Sequence, residues 1–164
     1  MRLRHTLSVP VLMFLTVSLF FTSLPLAKVE KSDSDYDVSR MEGFSWVLIQ
    51  LKQDYVDPSR VRPAAMISRS LEFIEHRLSE VEIKLSEGVA TVQVGSAKKT
   101  FEVGVPKTVW EMNYNLQPII SFVGEGIEST SDPRDVEFAA IDGMLSTLDP
   151  HSNLLPPELF REMK

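Results

Sequence analysis

The residues with the richest chemistry in this sequence lie in the segment Asp149-Pro150-His151-Ser152. It places an acid, a base and a nucleophile within four residues, and these are the side-chain types of a hydrolytic triad. A triad needs side chains that converge within hydrogen-bond reach, whereas neighbours in a turn usually diverge. The same residues suit a structural turn, in which Asp149 accepts backbone amides, Pro150 fixes φ, and His151 or Ser152 closes the loop. We interpret the segment as that turn, with a self-contained hydrolase as the alternative.

Two smaller clusters also contain residue types that do chemistry. His76 follows Glu72 by four positions, a spacing at which two side chains on a helix could ligate a metal. Ser96 lies close to Lys98 and Lys99, which suggests a serine–lysine dyad. A lysine at the tip of a hairpin stays hydrated and charged, so it cannot act as a base. We therefore interpret His76 as a solvated side chain and the lysines as turn residues.

An acidic patch is formed by four carboxylates, Glu125, Glu128, Asp132 and Asp135. Such a patch could hold a divalent cation, but carboxylates are also favourable near the positive end of a helix. We interpret it as helix-end electrostatics. The sequence has no phosphate-binding loop, dinucleotide fingerprint, HExxH or GxSxG motif. We expect no metal site and no cofactor.

Composition narrows the class of protein. The chain has 164 residues, of which 43% are hydrophobic and 24% charged, and it has no cysteine. This composition is typical of a globular protein, and the missing cysteines exclude a disulfide scaffold, a thiol nucleophile and a Cys-ligated metal. Arg2 and Arg4 are the basic residues of segment 1–27, which leaves 15 of the 17 basic residues against all 23 acidic ones. Such an acidic body argues against nucleic-acid binding.

The pattern of the first residues is typical of a targeting segment. Arg2 and Arg4 precede an almost wholly apolar stretch at 9–21, whose length suits the central region of a secretory signal. We predict a signal peptide at 1–27, with an uncleaved anchor in the inner membrane as the alternative. Residues 28–38 are polar and charged and are predicted to be a flexible linker. A cysteine-free exported chain suits the periplasm or cell envelope.

Helical spacing dominates the predicted body, 39–148. A first helix is predicted from a capping box of Ser39 and Glu42, and a second from Pro63, so that the two form a helical hairpin. A third helical segment follows at 108–129, with Pro118 expected to kink or restart it. A fourth begins at Asp132-Pro133 and ends at Asp149-Pro150. Its small residues should let another element approach closely: Ala139, Ala140 and Gly143.

Between the second and third helices the apolar period changes from 3.6 to 2. Three alternating runs are predicted as strands of an antiparallel meander, the first from Val81, the second from Ala90 and the third from Phe101 to Val105. Each run has one apolar face, so the sheet must cover something, and the helical hairpin is the expected partner. The predicted class is α+β, a mostly helical amino-terminal domain with a small three-stranded antiparallel meander. Trp46 and Trp110 are predicted to be core or partner-contact residues.

The carboxyl end carries a pattern that resembles a known family. Residues 139–152 read AAIDGMLSTLDPHS and residues 154–164 read LLPPELFREMK. In order and spacing they are similar to the carboxyl-terminal processing peptidases, or tail-specific proteases, which are serine endopeptidases of bacterial envelopes and plastids. Residues 53–58, QDYVDP, resemble the end of that family's first helix.

The resemblance implies an export signal, an amino-terminal helical domain, a PDZ domain that gathers carboxyl tails of substrates, and a protease domain with a serine nucleophile and a lysine base. No position here matches that dyad, so no catalytic residue is assigned, and Ser152 belongs to the turn. Residues 149–164 would be the turn and the start of a connector helix to a PDZ domain that this chain lacks. The meander at 81–105 is not a feature of that family pattern.

These observations predict the amino-terminal, non-catalytic portion of an exported carboxyl-terminal processing serine endopeptidase. Its partners would be protein carboxyl tails bound through the missing PDZ domain, and inner-membrane association and a homo-oligomer both stay open. The turn of Asp149, Pro150, His151 and Ser152 would orient the neighbouring domains. The alternative is a free-standing envelope adaptor or binding module without enzymatic activity.

Overall fold

The computed structural model of the chain describes residues 36–127, 131–149, 151–152 and 154–155, which belong to the unit Asp33–Lys164. The described part is α+β, with four α-helices and one three-stranded antiparallel sheet. The elements, in chain order, are α1 (Glu42–Asp54), α2 (Pro63–Arg77), β1 (Val81–Ser86), β2 (Val89–Val94), β3 (Ala97–Glu102), α3 (Val109–Gly126) and α4 (Pro133–Leu145). None of the helices in the described part is long and apolar enough to cross a membrane.

The centre of the fold is the close packing of α2 against α4. A Cβ atom added at Gly143 would lie 2.4 Å from the backbone oxygen of Arg69 and 2.8 Å from the Cα of Ser70, so only glycine fits there. Beside it the buried Ser70 hydroxyl donates to the carbonyl of Ala140 at 2.8 Å. The predicted close approach on α4 is therefore confirmed. The predicted hairpin of the first two helices is wrong, because α2 packs principally against α4.

The sheet has the order β1-β2-β3 and is a meander, as predicted. Its register pairs Ile83 with Val92 and Ala90 with Phe101, and these side chains are buried on one face. That face packs on α2 and α3 rather than on a hairpin of α1 and α2. The third strand starts earlier than predicted, at Ala97, because the turn needs only residues 95–96. Val105, predicted to end that strand, is outside it and 73% exposed.

Helix α3 is continuous through Pro118, where a kink or restart was predicted. Proline removes the helical hydrogen bond to the carbonyl four residues earlier, at Tyr114. Pro118 and Tyr114 are both exposed, so water can serve that carbonyl. Thr108 caps the helix by accepting from the amide of Glu111 at 3.1 Å. Its buried stripe, from Met112 to Val123, fixes α3 against the rest of the core despite the missing bond.

The start of the folded body differs from the prediction. Val38 is buried and belongs to a 3-10 turn, Val38–Arg40, so the fold begins inside the predicted linker. The capping box at Ser39 is absent, because Ser39 donates to the side chain of Asp37 instead. The residue that precedes α1 is Met41, which is in the left-handed conformation (φ 46°) and has no side-chain oxygen to cap the helix.

Candidate functional site

The segment that follows α4 folds into a turn organised by one carboxylate. Oδ1 of Asp149 accepts from the backbone amide of His151 at 2.9 Å, and Oδ2 accepts from the hydroxyl of Ser152 at 2.5 Å. The backbone carbonyl of Asp149 also accepts from the amide of Ser152 at 3.2 Å. This is the hydrogen-bond pattern of an Asx turn. Pro150 lies outside the described residues.

The turn is held against the other end of the sequence by two contacts. The hydroxyl of Tyr55, the residue after α1, donates to Oδ2 of Asp149 at 3.4 Å. Nη1 of Arg60 donates to the carbonyl of Leu148 at 2.8 Å, while its Nε pairs with Asp57 at 3.2 Å. The two sequence segments that carry the resemblance, 53–58 and 139–152, therefore meet in space. Nearly a hundred residues separate them along the chain.

A cleft of about 240 Å³ opens beside this junction, between α1 and the end of α4. Its walls are mostly apolar, and its rim carries the few polar groups. The lining residues are Val47, Gln50, Leu51, Asp54, Tyr55, Leu145, Leu148 and Ser152. The cleft could accept a small apolar group.

The hydrogen bonds of the turn are those of a structural loop. The hydrogen bond from Ser152, followed by the one from the His151 amide, holds the pKa of Asp149 below its ordinary value, so this carboxylate is a weak base. The imidazole of His151 is exposed and, in the described part of the chain, makes no hydrogen bond. No base therefore lies between the acid and the hydroxyl, as a triad requires. The arrangement orders a loop.

The other predicted clusters are dispersed or paired. His76 is exposed, and Glu72 is bound to Arg69 rather than to His76. Over residues 36–127, 131–149, 151–152 and 154–155, no three His, Asp or Glu side chains lie close enough to hold a metal ion. Lys99 is exposed, and its ammonium lies over the ring of Phe101 at 5.2 Å.

Two carboxylates of the predicted acidic patch, Asp132 and Asp135, form ion pairs with arginines. Asp135 accepts from Arg77 at 2.7 Å, which ties α4 to the end of α2. Asp132 accepts from the amide of Arg134 at 2.9 Å as the predicted helix cap, and it also pairs with the Arg134 guanidinium. Glu128 lies outside the described residues. Asp132 and Asp135 therefore serve the ends of helices.

One functional group was missed by the sequence analysis, the carboxylate of Glu137. It is 1% exposed, and its Oε1 accepts from the backbone amide of Phe44 at 2.7 Å. The amide of Gly43 also contributes a hydrogen bond, and a Cβ at Gly43 would stand 3.3 Å from Oε1. Glu137 of α4 thus caps the amino end of α1, which Met41 leaves uncapped. A signal was present, since Glu137 lies four residues before the apolar Ile141 and therefore on the same face of the helix.

The buried position sets the titration of Glu137. Burial raises the pKa of this carboxyl above its ordinary value, and the amides of Phe44 and Gly43 only partly oppose the shift. The positive end of α1 favours the charged form, but loss of water outweighs it. Glu137 and Asp149 therefore hold the two ends of α1 with pKa values shifted in opposite directions.

Comparison with known proteins adds no relative to this picture. No protein-family model, curated protein sequence or solved structure matches the chain. The resemblance to the carboxyl-terminal processing peptidases therefore stands on residues 53–58, 139–152 and 154–164. The activity and the further domains that the resemblance implies are proposals.

Proposed function

We propose that this chain is the amino-terminal, non-catalytic portion of an exported carboxyl-terminal processing serine endopeptidase. In this proposal the complete enzyme cleaves protein carboxyl tails, and the part described here delivers and positions the domains that do so. Residues 1–27 direct export to the periplasm or envelope. The junction of Tyr55, Arg60 and Asp149 gives the chain a fixed direction as it leaves α4.

The observation that carries this proposal is the contact between the two segments of the resemblance. Tyr55 belongs to the QDYVDP segment and Asp149 to the LDPHS segment, and the two side chains share a hydrogen bond. Sequence similarity in two distant segments gains weight when those segments form one junction. A turn that is tied to a helix end by side-chain bonds holds the next segment in one orientation.

The decisive test is the coding sequence beyond Lys164. We expect the reading frame to continue into a PDZ domain and then into a protease domain with a serine and a lysine. A stop codon at that point would replace this proposal with the free-standing envelope adaptor. The purified chain should also fail to react with a fluorophosphonate probe, and labelling that Ser152→Ala abolishes would establish a self-contained hydrolase.

The role of the junction is tested in the complete protein. Asp149→Ala should slow the processing of a substrate with a free carboxyl tail, because the turn loses its organising carboxylate. His151→Ala is the matched control, since that imidazole makes no hydrogen bond in the described part. Equal activity of the two variants and the wild type would contradict the positioning role.

A further inference from the structure

A second surface lies beside the junction of Tyr55, Arg60 and Asp149, where α1 ends and α3 begins. A cavity of about 260 Å³ opens there, and we name it the connector cavity. Its wall is largely apolar and its polar groups are two lysines and a threonine. Its lining residues include Leu51, Lys52, Val61, Lys107, Thr108 and Val109. Among the residues that the structure describes, no acidic side chain lines it, although the carboxylate of Glu111 accepts from the backbone amide of Lys107 at 2.9 Å.

Exposed apolar side chains stand beside the connector cavity. Val56 is 95% exposed, Val105 is 73% exposed and Trp110 is 43% exposed. Each lies within two residues of a lining residue: Val56 of Pro58, Val105 of Lys107, and Trp110 of Val109. Exposed apolar groups beside a largely apolar cavity indicate a surface that leaves water on binding.

Three of the basic groups at this end are unpaired in the part of the chain that the structure describes. Lys52 and Lys107 line the cavity, and Arg62 is exposed at the start of α2. In the described part of the chain, none of the three has a carboxylate within ion-pair distance, whereas Arg60 close by is paired with Asp57. Cations without partners are unexpected in a protein with net charge −6. They are available to an anionic surface.

We propose that the connector cavity and its rim dock on the surface of a membrane that contains anionic phospholipid. Tryptophan prefers the boundary between lipid and water, because its ring is apolar and its N–H can reach a polar partner. Lysine can keep its ammonium at the headgroups while its stem lies along apolar surface. Anionic lipids attract juxtamembrane basic residues. The docked body would then lie with α1 and α3 meeting the membrane at the same end.

The sequence before Tyr36 makes this contact reachable, and the inference here rests on the export part of the proposed function. Eight residues, 28–35, separate the predicted signal peptide or anchor, 1–27, from Tyr36, and they span at most about 28 Å. The chain enters the fold where Gln117 of α3 donates to the carbonyl of Ser39 at 2.9 Å. Along α3, Gln117 is about 12 Å from Val109 at the cavity. If residues 1–27 stay as the anchor that is the alternative to a cleaved signal peptide, a body on this tether can reach the lipid surface.

The two tryptophans allow a direct test in the full chain. Trp46→Phe leaves Trp110 as the single reporter, and Trp110→Phe leaves Trp46, which lies nearer the amino end of α1. Each variant is mixed with vesicles of phosphatidylcholine, with and without phosphatidylglycerol, in which some acyl chains are brominated. Bromine quenches tryptophan only at short range. Flotation of the same vesicles measures total binding.

We expect Trp110 to be quenched on vesicles with phosphatidylglycerol and Trp46 to be quenched far less. Each reversal, Lys52→Glu or Lys107→Glu, should lower the ratio of docked to free body roughly thirtyfold, because it exchanges one attraction for one repulsion. High salt should also lower the ratio of docked to free body, because it screens the attraction between the lysines and the anionic lipid. Lys98→Glu on β3 is the matched control, since Lys98 is also exposed but lies on the sheet, where its charge acts on Glu82, and it should leave the quenching unchanged.

The outcomes separate this docking surface from the export proposal. Flotation without selective quenching of Trp110 overturns the docking surface and leaves export standing. Quenching that needs phosphatidylglycerol, with no flotation on phosphatidylcholine alone, supports docking and counts against an inserted anchor. Absence of flotation on both vesicles overturns the docking surface and leaves export, which a cleaved signal peptide can serve, standing. Concentration-dependent dimers that Val56→Asp abolishes, with no quenching, would assign the surface to a second copy of the chain and overturn the membrane proposal.

Discussion

The two ends of α1 are each held by a carboxylate that belongs to the α4 region, but the two groups lie in opposite surroundings. Glu137 holds the amino end from inside the core, and Asp149 meets Tyr55 at the other end near the surface. Both accept backbone amides, yet the pKa of Glu137 is raised and that of Asp149 is lowered. The difference teaches that access to water, and not the hydrogen bonds alone, decides what a capping carboxylate does to stability.

The largest effect should come from breaking the packing that brings both carboxylates to α1. Gly143→Ala places a Cβ against the backbone of α2, which cannot move as a flexible side chain can, so unfolding free energy should fall by about 3 kcal/mol. Urea denaturation measures it. Gly126→Ala is the control, since its Cβ meets only the side chain of Val94, with Cγ1 at 3.0 Å and Cβ at 3.1 Å, and should change stability by less than about 1 kcal/mol. Equal losses would contradict the account of the α2–α4 contact.

The second-largest fall in unfolding free energy should come from removal of the buried carboxylate of Glu137. Glu137→Ala leaves the amides of Phe44 and Gly43 without an acceptor in the core, at a cost of about 2–4 kcal/mol in unfolding free energy. The same denaturation experiment checks it. Glu125→Ala, on the exposed surface of α3, is the matched glutamate control and should be nearly neutral. A Glu137 variant as stable as wild type would mean that the amino end of α1 needs no cap from α4.

Loss of the Asp149 carboxylate, which is half-buried near the surface, should cost less. Asp149→Ala removes the Asx turn and the bond from Tyr55, but water can replace both partners. We expect the melting temperature to fall by about 2–4 °C. Calorimetry of the two alanine variants side by side tests the ranking. A larger fall for Asp149→Ala than for Glu137→Ala would reverse the comparison between the two ends of α1.

The two carboxylates should respond to pH with opposite sign. The folded pKa of Glu137 is raised, so its contribution to stability is present below the unfolded pKa and is lost as pH rises through the folded pKa. The folded pKa of Asp149 is lowered, so its contribution is present above the unfolded pKa and is lost as pH falls. Unfolding free energies relative to Glu137→Gln and Asp149→Asn, measured from acidic to neutral pH, should slope in these opposite directions. If the unfolding free energies of both pairs changed with pH in the same direction, burial would not shift the pKa values of Glu137 and Asp149 in opposite directions.

The smallest effect concerns the long contact at 3.4 Å between Tyr55 and Asp149. Tyr55→Phe keeps the ring in the cleft and removes only the hydroxyl, so the melting temperature should change by about 1 °C or less. In the complete protein, the same variant should affect processing less than Asp149→Ala. A Tyr55→Phe variant as impaired as Asp149→Ala would place the positioning role in the contact itself rather than in the turn.

Much of the fold was predictable, because its strands and helix starts follow from patterns among residues that are near neighbours in the sequence. The alternation from Val81 onward gave the meander, and Pro63 and Asp132 marked the starts of α2 and α4 through capping chemistry that acts over a single turn. The predicted hairpin of the first two helices failed for a physical reason. An apolar stripe shows that a helix packs against another element, but not which one. Because Gly143 has no Cβ, α4 can approach α2 more closely than α1 does.

The candidate site was predictable in part. The Asx turn at Asp149 follows from its own residues, whereas its contacts with Tyr55 and Arg60 join positions far apart in sequence. Glu137 was missed because a charged residue in a helix is ordinarily assigned to the solvated face. Trp46 and Trp110 were assigned to the core or a partner surface, and both are exposed, at 60% and 43%.

By itself the amino-acid order determined the kinds of elements, their capped starts and the turn after α4, since each depends on neighbours within a few residues. The tertiary structure alone decided that α4 lies between α2 and α1, and so which acid is buried and which is hydrated. The physical reason is that a carboxylate's energy depends on the water left around it, which is set only when distant segments pack together.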